Sequence, residues 1–156
     1  MFSLSSRVAL VTGGGTGIGA GIASGLASAG ATVVLVGRRA PPLEATARKI
    51  NDALADAAAP SRCHALPADI LDLDAAGDIV AQAAALGGAP VSILLNNAGL
   101  NVRKPAHELT AADWRTSLDL MLTAPFFLAR ACAPAMSEAR YGRILTIASL
   151  QSVRAF

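Results

Sequence analysis

A glycine-rich segment follows the first apolar run of the chain. It reads Thr12-Gly13-Gly14-Gly15-Thr16-Gly17-Ile18-Gly19. Residues without a Cβ let a backbone turn lie directly against a bound group, and the helix that follows offers free N–H groups and a positive dipole end. The segment therefore predicts a phosphate-binding turn, although glycine triplets also occur in ordinary tight turns and close helix packing.

Each of the later apolar runs is also followed by residues that can bind or react. These residues are Arg38-Arg39, Asp69, Asn96-Asn97-Ala98-Gly99 and Ser149. All of them stand at the carboxyl ends of predicted strands, where ligands bind in open parallel sheets.

The elements that must position these residues alternate along the chain. Strands are predicted at 8–12, 32–36, 62–67, 91–95 and 143–148, and helices at 17–29, 41–58, 72–86 and 111–130. Pro125 and Pro134 leave the end of the last helix open, because an internal proline removes a backbone hydrogen bond. Apolar strands joined by helices require a parallel sheet covered on both faces, and right-handed crossovers make it doubly wound. We expect one Rossmann-like α/β domain over residues 1–156.

Three of these motifs, in this order, resemble the short-chain dehydrogenase/reductase family. They are Thr-Gly-x-x-x-Gly-x-Gly from Thr12 to Gly19, the segment Asn96-Asn97-Ala98-Gly99, and Ser149. The resemblance covers essentially the whole chain. It implies the first five strands of a larger sheet whose C-terminal part is absent, and hydride transfer between a nicotinamide cofactor and an alcohol or carbonyl. A polar turn after a strand is the alternative for Asn-Asn-Ala-Gly.

The resemblance also assigns cofactor-binding residues. It implies phosphate contacts from the glycine-rich turn, and ribose and nicotinamide contacts from Asn96, Ala98 and Gly99. Asp69 would contact the adenine amino group and Ile70 would pack on the ring, whereas capping of the next helix is an equal alternative for Asp69. The turn residues so assigned are Thr12, Gly13, Gly15, Thr16, Gly17, Ile18 and Gly19.

The residues after the second strand bear on cofactor choice. An acidic side chain there would bond the ribose hydroxyl of NAD, whereas a basic one would pair with the 2′-phosphate of NADP. The sequence has Gly37-Arg38-Arg39 and no carboxylate. A guanidinium grips a phosphate through two parallel hydrogen bonds, so we expect NADP, with NAD as a possible cofactor, and Arg38 ahead of Arg39. Two solvated arginines are the alternative.

The catalytic set implied by the resemblance is incomplete. Ser149 matches the serine that hydrogen-bonds the substrate oxygen, although a strand-end serine also suits a turn or a cap. The single tyrosine, Tyr141, precedes Ser149 and has no lysine four residues later, so the Tyr-x-x-x-Lys pair would fall beyond Phe156. Met121 stands where the family usually has a relay asparagine, and a thioether cannot donate a hydrogen bond. We expect these 156 residues alone to be inactive.

The substrate is a small-molecule alcohol or carbonyl. The segment from Gly99 to Pro105 resembles family members that act on sugar acids such as gluconate, and either Arg103 or Lys104 would pair with a carboxylate unless both are only solvated. A non-catalytic nucleotide-binding module is the alternative function, and a membrane or assembly protein is a remote one.

Composition excludes several other classes. The net charge of +2 is scattered and aromatic residues make up 4%, which disfavours nucleic-acid binding. Cys63 and Cys132 are isolated, and no metal-ligand spacing is present. The uncharged stretch 8–37 is interrupted by glycines and carries no secretory signal, so we expect no membrane span and a cytoplasmic protein. We also expect the full-length form to be a homo-oligomer.

Overall fold

The computed structural model describes residues 3–55 and 62–150. Its strands are β1 (Val8–Thr12), β2 (Thr32–Gly37), β3 (Cys63–Pro67), β4 (Val91–Asn96) and β5 (Arg143–Thr146). They form one parallel sheet in the order β3-β2-β1-β4-β5. The predicted Rossmann-like fold is therefore confirmed, with the order of the strands reversing at β1.

Helices cover both faces of the sheet. They are α1 (Gly17–Ser28), α2 (Ala40–Ala53), α3 (Ala76–Gly87), α4 (Ala111–Leu118) and α5 (Ala124–Glu138). Because side chains alternate along a strand, Ala9 and Val11 pack with α1 and α2, while Val8 and Leu10 pack with α3 and α5. Two apolar layers thus enclose a sheet whose carboxyl edge stays open.

Two predicted helix bounds were wrong. The second helix ends at Ala53, and residues 56–58 of the prediction lie outside the described part of the chain. The third begins at Ala76, four residues after the predicted start at Asp72. Two aspartates hold turns before it: Asp69 Oδ1 accepts from Leu71 N at 3.0 Å and Asp72 Oδ1 from Ala75 N at 3.3 Å. These local bonds compete with the helical ladder and delay it.

The fourth predicted helix, whose end the sequence left open beyond Arg130, runs to Glu138 with Pro134 inside it. A π-helical segment, Asp119–Thr123, joins α4 to α5, and Ala124 N donates to Asp119 O five residues back. Pro125 lies in the first turn of α5 and has no N–H to donate. The π-helical segment just before it changes the spacing of the backbone hydrogen bonds, so the chain stays helical although this donor is missing. Strand β5 ends at Thr146 rather than at the predicted Ala148.

Among the described residues, one helix is long and apolar enough to cross a membrane. The uncharged stretch 8–37 folds as strand, helix and strand. The helix of that length is the continuous helical run Ala111–Glu138, which meets the criterion by length and composition alone. Core helices of water-soluble proteins meet the same criterion.

Large apolar side chains remain exposed on two surfaces. One is β5, where Ile144 and Leu145 are each 49% exposed although their side chains point to opposite faces. The other, here called the helical stripe, consists of four exposed side chains spaced four residues apart: Trp114, Leu118, Leu122 and Phe126. Residues four apart share one face of a helix, and such surfaces favour association.

We predict that the 156-residue chain self-associates through the β5 edge, because an unpaired strand with two exposed apolar faces is a template for another strand. Light scattering over a dilution series should show concentration-dependent assemblies. Leu145→Lys should reduce them more than Leu122→Lys, which places the same charge on the helical stripe. A monodisperse monomer with no dye-binding apolar surface would contradict the prediction.

Candidate functional site

The glycine-rich turn lies beside the loop that follows β4. Gly13 has φ +64°, and a Cβ there would come within 3.0 Å of Ala98 Cα and of Asn97 Nδ2. A Cβ on Gly19 would overlap the carbonyl oxygen of Gly13. Any larger residue at either position would push the two loops apart. The glycines therefore allow the close approach that defines this edge of the sheet.

A compact hydrogen-bond network fastens these two loops together. The hydroxyl of Thr12, which is 2% exposed, donates to Leu95 O at 3.3 Å and accepts from the backbone N–H groups of Asn97 and Ala98, both at 3.0 Å. The side-chain amide of Asn97 donates to Thr12 O at 3.0 Å and to Gly13 O at 3.2 Å. One threonine and one asparagine thus fix the turn after β1 against the loop after β4.

The first turn of α1 supplies unoccupied donors. Thr16 is its N-cap, but the threonine side chain makes no capping hydrogen bond. Within residues 3–55 and 62–150, the N–H groups of Gly17, Ile18 and Gly19 have no acceptor. No acidic side chain stands in this turn. Free N–H groups at a positive dipole end fit a phosphate.

An open cleft of about 840 Å³ runs along this edge of the sheet. Eleven of the predicted site residues line it: Gly13, Gly15, Thr16, Gly17, Ile18, Arg38, Arg39, Asp69, Ile70, Ala98 and Gly99. These residues come from the ends of four strands, so the topology brings them together from distant parts of the sequence.

Four predicted site residues do not line the cleft. Thr12 and Gly19 lie behind the turn, where they bond and pack as described above. Asn96 is buried in the sheet at 5% exposure, and its side-chain oxygen has no hydrogen-bond partner in the described part of the chain. The neighbouring Asn97, the first residue after β4, lines the cleft in its place.

The fourth is Ser149, which follows β5 and is exposed. The chain is still paired with β4 at Ile147, whose N–H donates to Asn96 O at 2.9 Å. Tyr141 lies before β5, and the guanidinium carbon atoms of Arg7 and Arg143 lie 3.6 and 4.7 Å from its ring centroid. The tyrosine therefore belongs to the amino edge of the sheet, away from the cleft.

The end of the cleft beside β2 is cationic. Arg38 and Arg39 are exposed, and neither forms an ion pair with a carboxylate among the described residues. The Thr46 hydroxyl donates to Gly15 O at 2.9 Å and so ties α2 to the glycine-rich turn. Two guanidiniums without counter-ions suit an anionic group.

Asp69 forms the turn described above rather than the cap of α3, whose N-cap is Ala75. The capping alternative is therefore wrong, while contact with an adenine stays a prediction. Asp69 itself is exposed on the cleft wall.

Other reactive groups lie outside this site. Burial raises the pKa of the Cys63 thiol to about 12 and that of Cys132 to about 11, so neither forms a thiolate near neutral pH. Within the described residues, no three His, Cys, Asp or Glu side chains form a group that could hold a metal ion.

Sequence reasoning missed several cleft residues. Asn97 could have been predicted from the sequence, because it is a polar amide residue directly after a predicted strand. Pro42, Leu43, Leu100, Thr116 and Leu120 also line the cleft, and nothing in their local sequence marks them. Their positions depend on how α2, α4 and the loop after β4 pack, which only the three-dimensional structure supplies.

Comparisons with known proteins agree with this geometry. A sequence model described as short chain dehydrogenase matches residues 7–156. Gluconate 5-dehydrogenase of Gluconobacter oxydans (strain 621H) is 38% identical over 152 residues, which are 97% of this chain and 57% of that protein. The chain thus spans little more than half the length of this relative.

Two solved structures are also similar. A Beutenbergia cavernae protein with bound NADP, described as an NAD(P)-dependent gluconate 5-dehydrogenase, is 39% identical with a TM-score of 0.84, covering 98% of this chain and 58% of that one. A metagenomic short-chain oxidoreductase in complex with NADP is 36% identical with a TM-score of 0.86, covering 98% and 66%.

We predict that Thr12→Val destabilises the chain by about 1–3 kcal/mol, because the isosteric change leaves the Asn97 and Ala98 N–H groups without an acceptor. Denaturant unfolding measures this loss. Thr12→Ser keeps the hydroxyl, and Thr46→Val removes only one half-buried hydrogen bond. Both changes should therefore lower the free energy of unfolding by less than Thr12→Val does. Equal stabilities of Thr12→Val and the parent would show that the network does not hold the loops.

Proposed function

This chain belongs to the short-chain dehydrogenase family, and on that premise we propose that it is the cofactor-binding part of an NADP-preferring oxidoreductase that interconverts an alcohol and a carbonyl. The observation that carries the proposal is the cleft itself. It gathers the free donors of α1, the two unpaired arginines and the Ala98–Gly99 backbone at one edge.

The donor set of the cleft fits a phosphorylated dinucleotide. The first turn of α1 would hold the pyrophosphate, Arg38 and Arg39 the 2′-phosphate, and Ala98 and Gly99 would lie along the ribose and nicotinamide. When bound, the nicotinamide supplies or accepts the hydride. Ser149 is proposed to donate a hydrogen bond to the substrate oxygen.

We predict that NADPH binds more tightly than NADH, because Arg38 pairs with the additional phosphate. Fluorescence titration of both reduced cofactors measures the two dissociation constants. Arg38→Ala should reduce the preference by about 10- to 100-fold, the range expected for a hydrogen bond between charged groups. Arg115→Ala, an exposed arginine on α4, is the matched control. Equal affinities in the parent would defeat the NADP proposal.

The loop after β4 supports a proposal for the substrate class. Lys104 is engaged with Asp113 at 2.7 Å, which leaves Arg103 as the cation of this loop for a substrate carboxylate. The two gluconate 5-dehydrogenases among the similar proteins support a sugar acid or a related polyol as substrate. We propose that Arg103 recognises the acid group.

A non-catalytic nucleotide-binding module is the second candidate. It is favoured by the position of Tyr141 between two arginines, away from the cleft. A phenol needs a neighbouring ammonium to act near neutral pH, and Tyr141 has no such lysine in sequence.

We therefore predict that these 156 residues bind NADPH but give no turnover. Intact mass spectrometry should first verify the length of the sample. NADP-dependent oxidation of gluconate and of galactitol is then followed by absorbance, with Ser149→Ala as the control for contaminating enzymes. Turnover that disappears in Ser149→Ala would contradict this prediction while supporting the dehydrogenase proposal.

We also propose that the full-length form is a homo-oligomer. The helical stripe supports this, because its four exposed apolar side chains do not depend on whether further strands cover β5.

A further inference from the structure

One ion pair connects the loop after β4 with α4, two segments that each contribute other residues to the lining of the cleft. Lys104, in the loop after β4, donates from Nζ to Asp113 Oδ2 in the first turn of α4 at 2.7 Å. The same carboxylate oxygen accepts from Thr110 N at 3.0 Å and from Thr110 Oγ1 at 2.8 Å. Asp113 N donates back to Thr110 Oγ1 at 3.1 Å. The Asp113 carboxylate thus completes the capping box of α4 with Thr110 and also holds Lys104 of the loop. This link between Lys104 and Asp113 is called the tether below.

The two ends of this tether belong to different parts of the site. The loop contributes Gly99 and Leu100 to the cleft, whereas α4 contributes Thr116 and the π-helical segment contributes Leu120. The rest of the loop is mostly exposed, including Asn101 and Arg103. In the ranges that the structure describes, no other side-chain hydrogen bond or ion pair joins residues 99–105 to another element.

We propose that Lys104 and Asp113 are positioning residues: their ion pair is a latch that holds the loop 99–105 against α4 and so keeps the substrate end of the cleft formed. That this end receives the substrate rests on the proposed function, but the latch does not. Lys104 therefore orders the loop, and Arg103 beside it remains exposed for a ligand.

The charge state of the latch is stable. The hydrogen bond from Lys104, followed by those from Thr110, lowers the pKa of Asp113 to about 2. A depressed carboxyl pKa means that the interaction is fully present above the ordinary carboxyl range near 4 and is lost only as the pH falls towards 2. The Lys104 side chain is 42% exposed and that of Asp113 19%, so dissolved salt reaches the pair and weakens it.

Limited proteolysis of the cofactor-free chain tests the latch directly. Trypsin does not cleave before proline, so Lys104-Pro105 is resistant and the bond after Arg103 is the cleavable one in the loop. Lys104→Met removes the tether and leaves the Thr110 cap intact, and Lys49→Met is the matched control on α2, where no ion pair engages the lysine. Cleavage at the exposed Arg38-Arg39 segment provides the internal reference.

Lys104→Met should be cleaved after Arg103 about two- to fivefold faster than the parent, the range that an exposed ion pair allows. High salt should accelerate this cleavage in the parent but not in Lys104→Met. Lys104→Arg, which keeps the charge, should restore the parent rate, and Lys49→Met should match the parent.

Equal rates in the parent and Lys104→Met, or equal salt responses, would overturn the latch. A decrease in the thermal unfolding midpoint of Lys104→Met that is large enough to explain the faster cleavage would also overturn it. In that case the loop would be cleaved because the whole chain unfolds more often. NADPH affinity, measured on the same samples, separates the latch from the proposed function. Failure of the parent to bind NADPH overturns the proposed function and leaves the cleavage result standing.

Discussion

The site depends on the hydroxyl of Thr12 more than on any other group. Strand β1 has a neighbour on each side, and at its carboxyl end the chain turns towards α1 while the loop after β4 crosses beside it. Asn97 and Ala98 follow the end of β4, so their N–H groups need an acceptor other than a neighbouring strand. One buried oxygen accepts from both. Without it, two half-buried donors would be left without an acceptor, which costs more than the bonds themselves contribute.

The narrow geometry of the glycine-rich turn follows from this bond. Since Asn97 is held by its backbone, its side-chain amide can reach the carbonyl oxygens of Thr12 and Gly13. That approach leaves no room for a Cβ on Gly13 or Gly19. The N–H groups of α1 remain free because the turn is fastened from the β4 side and not by a cap. Structural rigidity and ligand-binding capacity thus have one origin.

Sequence patterns predicted the elements well where one rule dominated. Strands β1, β2 and β4 are apolar on both faces. A central strand of a parallel sheet is covered on both faces, so its sequence is a nearly continuous apolar run that is easy to predict. The start of α3 was wrong because the side chains of Asp69 and Asp72 accept backbone hydrogen bonds in turns before the helix. The end of the last helix stayed open because the sequence does not show how the π-helical segment accommodates Pro125. The exchange between Asn96 and Asn97 has another cause. Which of two adjacent residues faces the cleft depends on strand register, and that register is set by long-range pairing.

The two helix N-termini at the cleft offer different kinds of recognition. In α1 the first-turn N–H groups have no acceptor among the described residues, so an anion bound there would meet fixed backbone dipoles that no side-chain substitution removes. The first turn of α2 contains Pro41 and Pro42, and proline has no N–H to donate. An anion at that end must rely on the exposed guanidiniums of Arg38 and Arg39. Salt screens exposed side-chain charges strongly, so we expect binding of an anion by the arginines near α2 to be more sensitive to ionic strength than binding at α1. In the proposed function, one part of the cleft would therefore hold a phosphate and another part would select for one.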